Sequence, residues 1–171
     1  MRDNIVNKLI LLFVFDKMEI PISEESLIDI CTTANEWMNY VDCTTALNDL
    51  LDADFLYITE QLSARLISIT PDGRSCIASF YTRIPSHLRD DINEYISKNR
   101  LKYRKRQEYF TDYYRNDDGT YTVWLKIFNT DRPQFELKLL VETRSAAVEM
   151  TRKWTSKAAQ AYGMLLETLL D

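Results

Sequence analysis

Residues 5–15, IVNKLILLFVF, constrain this chain more than any other stretch. Ile5, Val6, Leu9, Ile10, Leu12, Phe13 and Phe15 fall on every side of a helix running over residues 3–18, and a helix apolar all round must be covered all round. It is too short to span a bilayer, which takes about 20 apolar residues. Lys8 interrupts it, Asp16 and Glu19 close it, and no small-residue cleavage site follows, so it does not read as a signal peptide. The reading is a buried helix in a cytoplasmic protein with no membrane partner. One face can pack within its own domain; the other asks for the C-terminal half or a second subunit. A homodimer is therefore expected, with the apolar final helix contributing.

The next elements are placed by their punctuation. Ser23 can cap a second helix, Glu24 and Glu25 suit its positive end, and Ile22 with Leu27 has the spacing of a hydrophobic staple. That helix ends near Ala34-Asn35. Residues 36–41 read as a connector and Asp42 as the cap of a third helix, with Leu47, Leu50 and Leu51 inward and Thr44, Thr45, Asn48 and Asp52 outward. Residues 55–59 and 65–69 read as two short strands joined by 60–64. Thr70 caps a fourth helix and Pro71 takes its first position, where a missing N–H costs nothing; this helix reaches about Thr82. Three helices, a β-hairpin and a helix in that order read as a winged helix-turn-helix over residues 1–82.

Pro85 cannot continue the fourth helix and Ser86 can cap the next, so a second domain is expected over residues 83–171. Leu88, Ile92, Tyr95, Ile96 and Tyr103 stripe a helix reaching about Gln107. Strand 109–115 leads into the turn Asn116-Asp117-Asp118-Gly119, a strong hairpin signal. Tyr121, Val123, Leu125 and Ile127, then Phe135, Leu137, Leu139 and Val141, alternate with mixed residues, as in a sheet with one face against helices. Residues 145–170 are helical, with room for a break at Thr155-Ser156 because both are better caps than helix interiors. Only 3 Gly and 4 Pro occur in 171 residues, which fits long regular elements. The expected fold class is α+β: an N-terminal winged helix-turn-helix followed by a helix, a three-stranded antiparallel sheet and a C-terminal helix.

No residue pattern announces a reaction. Gly73, Gly119 and Gly163 are too dispersed for a phosphate loop. The single histidine, His87, has no Ser or Cys at a motif-like spacing. Cys31, Cys43 and Cys76 make no C-x-x-C pair and read as small buried hydrophobes. Asp90-Asp91 and Asp117-Asp118 fit helix-start and turn chemistry. The chain is therefore read as a non-enzyme, without metal, cofactor or catalytic residues.

Binding is the better lead. Thr44, Thr45 and Asn48 on the third helix are types that read base edges or phosphates. Gln61, Ser63 and Arg65 would act from the hairpin, and Arg74 would touch phosphate. Charge opposes this reading. Residues 1–82 carry 5 Lys/Arg against 13 Asp/Glu, and from Met18 to Ala64 there are ten acids with no Lys or Arg. DNA binding depends on cations replacing counterions along the phosphates. An acidic face of this kind equally suits a basic protein partner. Residues 83–171 carry 16 Lys/Arg against 13 Asp/Glu. Within them lies the secondary basic patch of Lys98, Arg100, Lys102, Arg104, Lys105 and Arg106. That run reads as a nucleic-acid footprint, a solvated helix face, or a partner for the acidic half. Residues 95–135 hold ten of the twenty aromatic residues, which reads as strand core, a subunit interface or a ligand-lining sheet.

NKLILLFVFDKMEIPIS at the start, MNY before the third helix, ITPDGR after the hairpin and RIP before the basic helix resemble the bacterial domain-of-unknown-function 4364 family, over nearly the whole chain. The resemblance implies a winged-helix, regulator-like protein without an established activity, and hence a transcription-associated role. Two functions follow as expectations. One is a dimeric winged-helix regulator binding double-stranded DNA. The other is a winged-helix interaction module whose acidic face takes a basic protein partner without touching DNA.

Overall fold

The computed structural model describes residues 4–61, 64–129 and 132–170. It is α+β, and its contacts divide the chain into two compact units, residues 1–100 and 101–171.

The first unit is built on α1 (Asn4–Met18). Every residue from Leu9 to Phe15 is buried, and the cover comes from α3 (Tyr40–Asp52), α4 (Pro71–Phe80), strand β3 (Ala64–Ile69) and the 3₁₀ turn Tyr81–Arg83. These elements of the same chain bury residues 9–15, so that stretch needs no second subunit for its cover. A small unit closes the ring by placing two helices, a strand and a turn around one rod.

Strand β1 (Ile22–Ser23) precedes α2 (Glu24–Asp29). Ser23 caps α2, accepting from the Ser26 amide at 3.1 Å. The chain then continues through a π turn, Ile30–Ala34. Asn35 donates to the Ile30 carbonyl at 2.8 Å, and Glu36 adopts the left-handed conformation with φ 53°. The third helix starts earlier than Asp42. Asn39 is its cap, with its Oδ1 taking the Asp42 amide at 2.8 Å and its Nδ2 donating to the Asp42 carboxylate at 2.9 Å. Residues 37–38 are not a loose connector, because Trp37 and Met38 are buried.

β2 (Leu56–Gln61) and β3 form the antiparallel hairpin, and β1 adds to the other side of β3 to give the order β1-β3-β2. β1 is absent from the sequence reading, since two residues carry no alternation. The motif at residues 69–74 anchors the base of the hairpin. The Thr70 hydroxyl caps α4 through the Gly73 amide at 3.0 Å and donates to the Asp54 carbonyl at 2.8 Å. A Cβ on Gly73 would lie 2.3 Å from the Phe55 carbonyl oxygen. Position 73 is therefore glycine because α4 seats directly on the turn leaving α3.

α5 (Ser86–Glu108) begins at Ser86 itself, and the Pro85 carbonyl accepts from Leu88 and Arg89. Ser86 is thus the first helical residue and not a cap. In the second unit β4 (Tyr109–Arg115), β5 (Tyr121–Asn129) and β6 (Arg132–Val141) form an antiparallel sheet in sequence order. α6 (Arg144–Leu170) packs on one face over Val123, Leu125 and Ile127, contributing Ala147, Trp154 and Ala158. The helix runs unbroken through Thr155-Ser156, where Ser156 returns its hydroxyl to the Lys153 carbonyl at 2.9 Å and so satisfies itself without ending the helix. No described helix is long and apolar enough to cross a membrane.

Candidate interaction face

The outward face of α3 is the place where a winged helix meets its ligand. Thr45 and Asn48 are exposed there. Thr44 is half-buried and spends its hydroxyl on the Tyr40 and Val41 carbonyls, at 3.0 and 3.1 Å. Its proton is engaged within the helix, so of the three α3 candidates only Thr45 and Asn48 present free polar groups outward. On the hairpin, Arg65 is exposed and lies across from Glu60. Gln61 ends β2, but its side chain, like the whole of Ser63, lies outside the described residues. Arg74 is half-exposed and salt-bridged at 3.2 Å to Asp16 on α1. It neutralises a carboxylate of its own unit.

Two features of the face were missed by the sequence reading. Tyr40 and Val41 are 62% and 68% exposed on the first turn of α3. Assigning residues 36–41 to a connector hid them; the Asn39-x-x-Asp42 spacing is the signal that would have placed them on the helix. The second is Lys8. It reads in sequence as a mere interruption of the apolar run, yet its Nζ lies 2.8 Å from Asp49 Oδ2, and Asn4 donates to the same oxygen at 3.4 Å. Hydrogen bonds from Lys8 and then Asn4 hold the Asp49 carboxyl below the usual carboxylate range.

The remaining charge is negative. Asp52 and Asp54 are exposed and make no ion pair among the described residues. Asp54 ends α3 in the left-handed conformation (φ 59°), with the Asp54 and Phe55 amides returning to the Leu51 and Leu50 carbonyls. This is a Schellman closure with an aspartate where glycine is commonest.

The basic run on α5 is largely engaged. In the first unit Lys98 pairs with Glu94, and Arg100 with Glu19 at 3.1 Å. In the second, Arg104 pairs with Glu108 at 3.1 Å and Arg106 lies over the Tyr103 ring. Lys102 and Lys105 are exposed.

The aromatic sheet is packed. Phe110, Trp124 and Phe128 surround the Lys126 ammonium, which sits 3.7 Å from the Trp124 ring centre, while the Trp124 N–H donates to Glu136 at 2.7 Å. A cleft of about 420 Å³ lies in the first unit, bordered by Asp16, Lys17, Tyr81, Arg89 and Asp90. Among the described residues no three His, Cys, Asp or Glu side chains converge as metal ligands. His87 is exposed. Cys31 and Cys43 are buried in mutual contact between the π turn and α3. Hydrogen bonding between their thiols lowers Cys43 and, with burial, raises Cys31.

A family model described as Domain of unknown function (DUF4364) matches residues 7–169. No curated protein and no solved structure matches the chain.

Proposed function

The chain belongs to the DUF4364 family, and from that premise we propose that it is a cytoplasmic, regulator-type winged-helix module whose α3 face docks a lysine- and arginine-rich segment of another protein. One observation carries the reading. No Lys or Arg occurs from Met18 to Ala64, and the cation bonded to an acid of α3, Lys8, is already held by Asp49. A polyanion approaching Thr45 and Asn48 meets Asp52 and Asp54 and finds no lysine or arginine on α3 to replace its counterions. A polycation meets complementary charge, with Tyr40 and Val41 exposed as apolar anchors beside it.

Direct binding of double-stranded DNA as a dimer is the second reading. The exposure of Thr45 and Asn48 on α3 together with Arg65 on the hairpin favours it, as does the order of elements. Fold analogy alone supports neither, because unrelated functions share folds.

The experiment is a pair of titrations at two salt concentrations. A fluorescent Lys/Arg-rich peptide and a mixed-sequence DNA duplex are each followed by anisotropy, with the native chain and with Asp49→Lys/Asp52→Lys. Peptide binding that weakens with salt and is lost on charge reversal supports the docking module. Salt-sensitive retention of the duplex by the native chain supports the second reading, and peptide binding untouched by the reversal sinks the first.

A further inference from the structure

We propose that the distal part of α6, residues 161–170, is the contact between two copies of this chain, each pairing with the same segment of the other around a two-fold axis. The inference rests on the second unit alone and does not depend on what α3 binds.

The stripe of α6 that faces the sheet runs through Trp154, Ala158 and Ala161 and continues at the same helical spacing through Leu165 and Leu169. Trp154 and Ala158 are buried against the sheet; Leu165 and Leu169 are 38% and 76% exposed. The cover therefore ends while the apolar stripe goes on. Gly163 marks the place, with open space around the position of a Cβ. Beyond it Met164, Leu166 and Leu170 are 59%, 40% and 79% exposed. Leu165, Leu166, Leu169 and Leu170 share one side of the helix, with Met164 on its flank. The exposed parts of the four leucines come to roughly 400 Å², within the ~300–600 Å² of a single chain's largest apolar patch, which is often functional. Doubled in a symmetric pair they supply about 800 Å² of apolar core, and the polar rim that surrounds such a core brings the contact to the ~1,000 Å² expected of a biological interface.

The chemistry selects the partner. Residues 161–170 carry one charge, Glu167, so a charged peptide finds nothing to pair with. Helices that lie on lipid carry Lys and Arg on their polar side, and this segment has neither. A second copy offers the same uncharged leucine-rich surface, and self-complementary patches of this kind give closed two-fold pairs.

The test uses the full chain in sedimentation equilibrium from about 1 to 200 μM. The native chain is expected to show the mass of two copies. Leu165→Glu/Leu169→Glu is expected to raise the dissociation constant at least 100-fold with an unchanged helical circular dichroism signal. Should that variant not fold, Leu165→Ala/Leu169→Ala is expected to raise it about tenfold. Leu140→Glu, at a β6 residue 69% exposed, is expected to leave the pair intact. A native chain that stays single throughout the range overturns the proposal. So does a pair that both α6 variants leave undisturbed, or one broken by Leu140→Glu alone. A single chain that floats with phosphatidylcholine/phosphatidylglycerol vesicles assigns the segment to lipid and overturns it as well.

Discussion

The ammonium of Lys8, early in α1, lies 2.8 Å from Oδ2 of Asp49, in the third turn of α3. A buried rod thereby reaches out of the core to neutralise one carboxylate on the proposed docking face. Because the Asp49 carboxyl is held low by Lys8 and then by Asn4, the folded chain binds that proton less tightly than the unfolded chain. The resulting stabilisation is complete above the ordinary aspartate value, about 3.9, and is lost as pH falls through the lowered folded value. Lys8→Met should move the Asp49 titration, read by carboxyl NMR, up towards that ordinary value. It should also flatten the fall in stability between about pH 4 and the acid limit. An Asp49 titration that does not move would mean the pair does not persist in solution.

Gly73→Ala should destabilise the first unit by about 1–3 kcal/mol or more, the range for overpacking. The added methyl would meet a backbone oxygen, not the yielding end of a side chain. Urea unfolding read by circular dichroism gives the value. A wild-type midpoint would show that α4 can lift off the α3 turn without cost.

Glu36→Gly should stabilise. Glu36 sits at φ 53°, which costs a non-glycine residue roughly 1–2 kcal/mol; glycine removes that cost and returns part of it through unfolded-state entropy. A net gain of about 0.5–1 kcal/mol, seen as a rise of a few degrees in Tm, is expected. A lower Tm would indicate that the Glu36 side chain makes a contact worth more than the strain.

Trp154 is buried, stacks on Phe135 and donates to the Lys126 carbonyl at 3.2 Å. Trp154→Phe should cost about 1–2 kcal/mol for the lost donor and the smaller ring, and Trp154→Ala about 3–5 kcal/mol. Denaturant titration of the two variants should separate them clearly; equal losses would mean that the hydrogen bond, not the packing, holds α6 to the sheet.

Much of the fold was legible because its boundaries are made by local chemistry. Ser23 and Thr70 cap their helices through amides three residues on, and the residue 116–119 turn sits between two alternating runs. What was not legible depends on distant partners. β1 exists because Leu66 and Ile67 offer it a ladder. The all-round burial of α1 depends on four other elements, and no count of its own leucines tells whether those or a second chain will supply the cover. The start of α3 was a different failure. Asn39 and Asp42 are both good caps in isolation, and only their reciprocal bonding decides that the first is the cap and the second its responder. For the candidate face, the acidic stretch was plain in sequence, but the pairing of Lys8 with Asp49 and of Arg74 with Asp16 required the packing of α1 to be known.

The knot at Thr70 and Gly73 has a mechanical consequence. One hydroxyl spans the end of α3 and the start of α4, and the missing side chain at 73 lets α4 rest on the Phe55 carbonyl. The segment that leaves α3 is clamped to the foot of the hairpin. Any force that tilts α3 must tilt the wing with it, so the two behave as the jaws of a fixed wrench, not as a hinge.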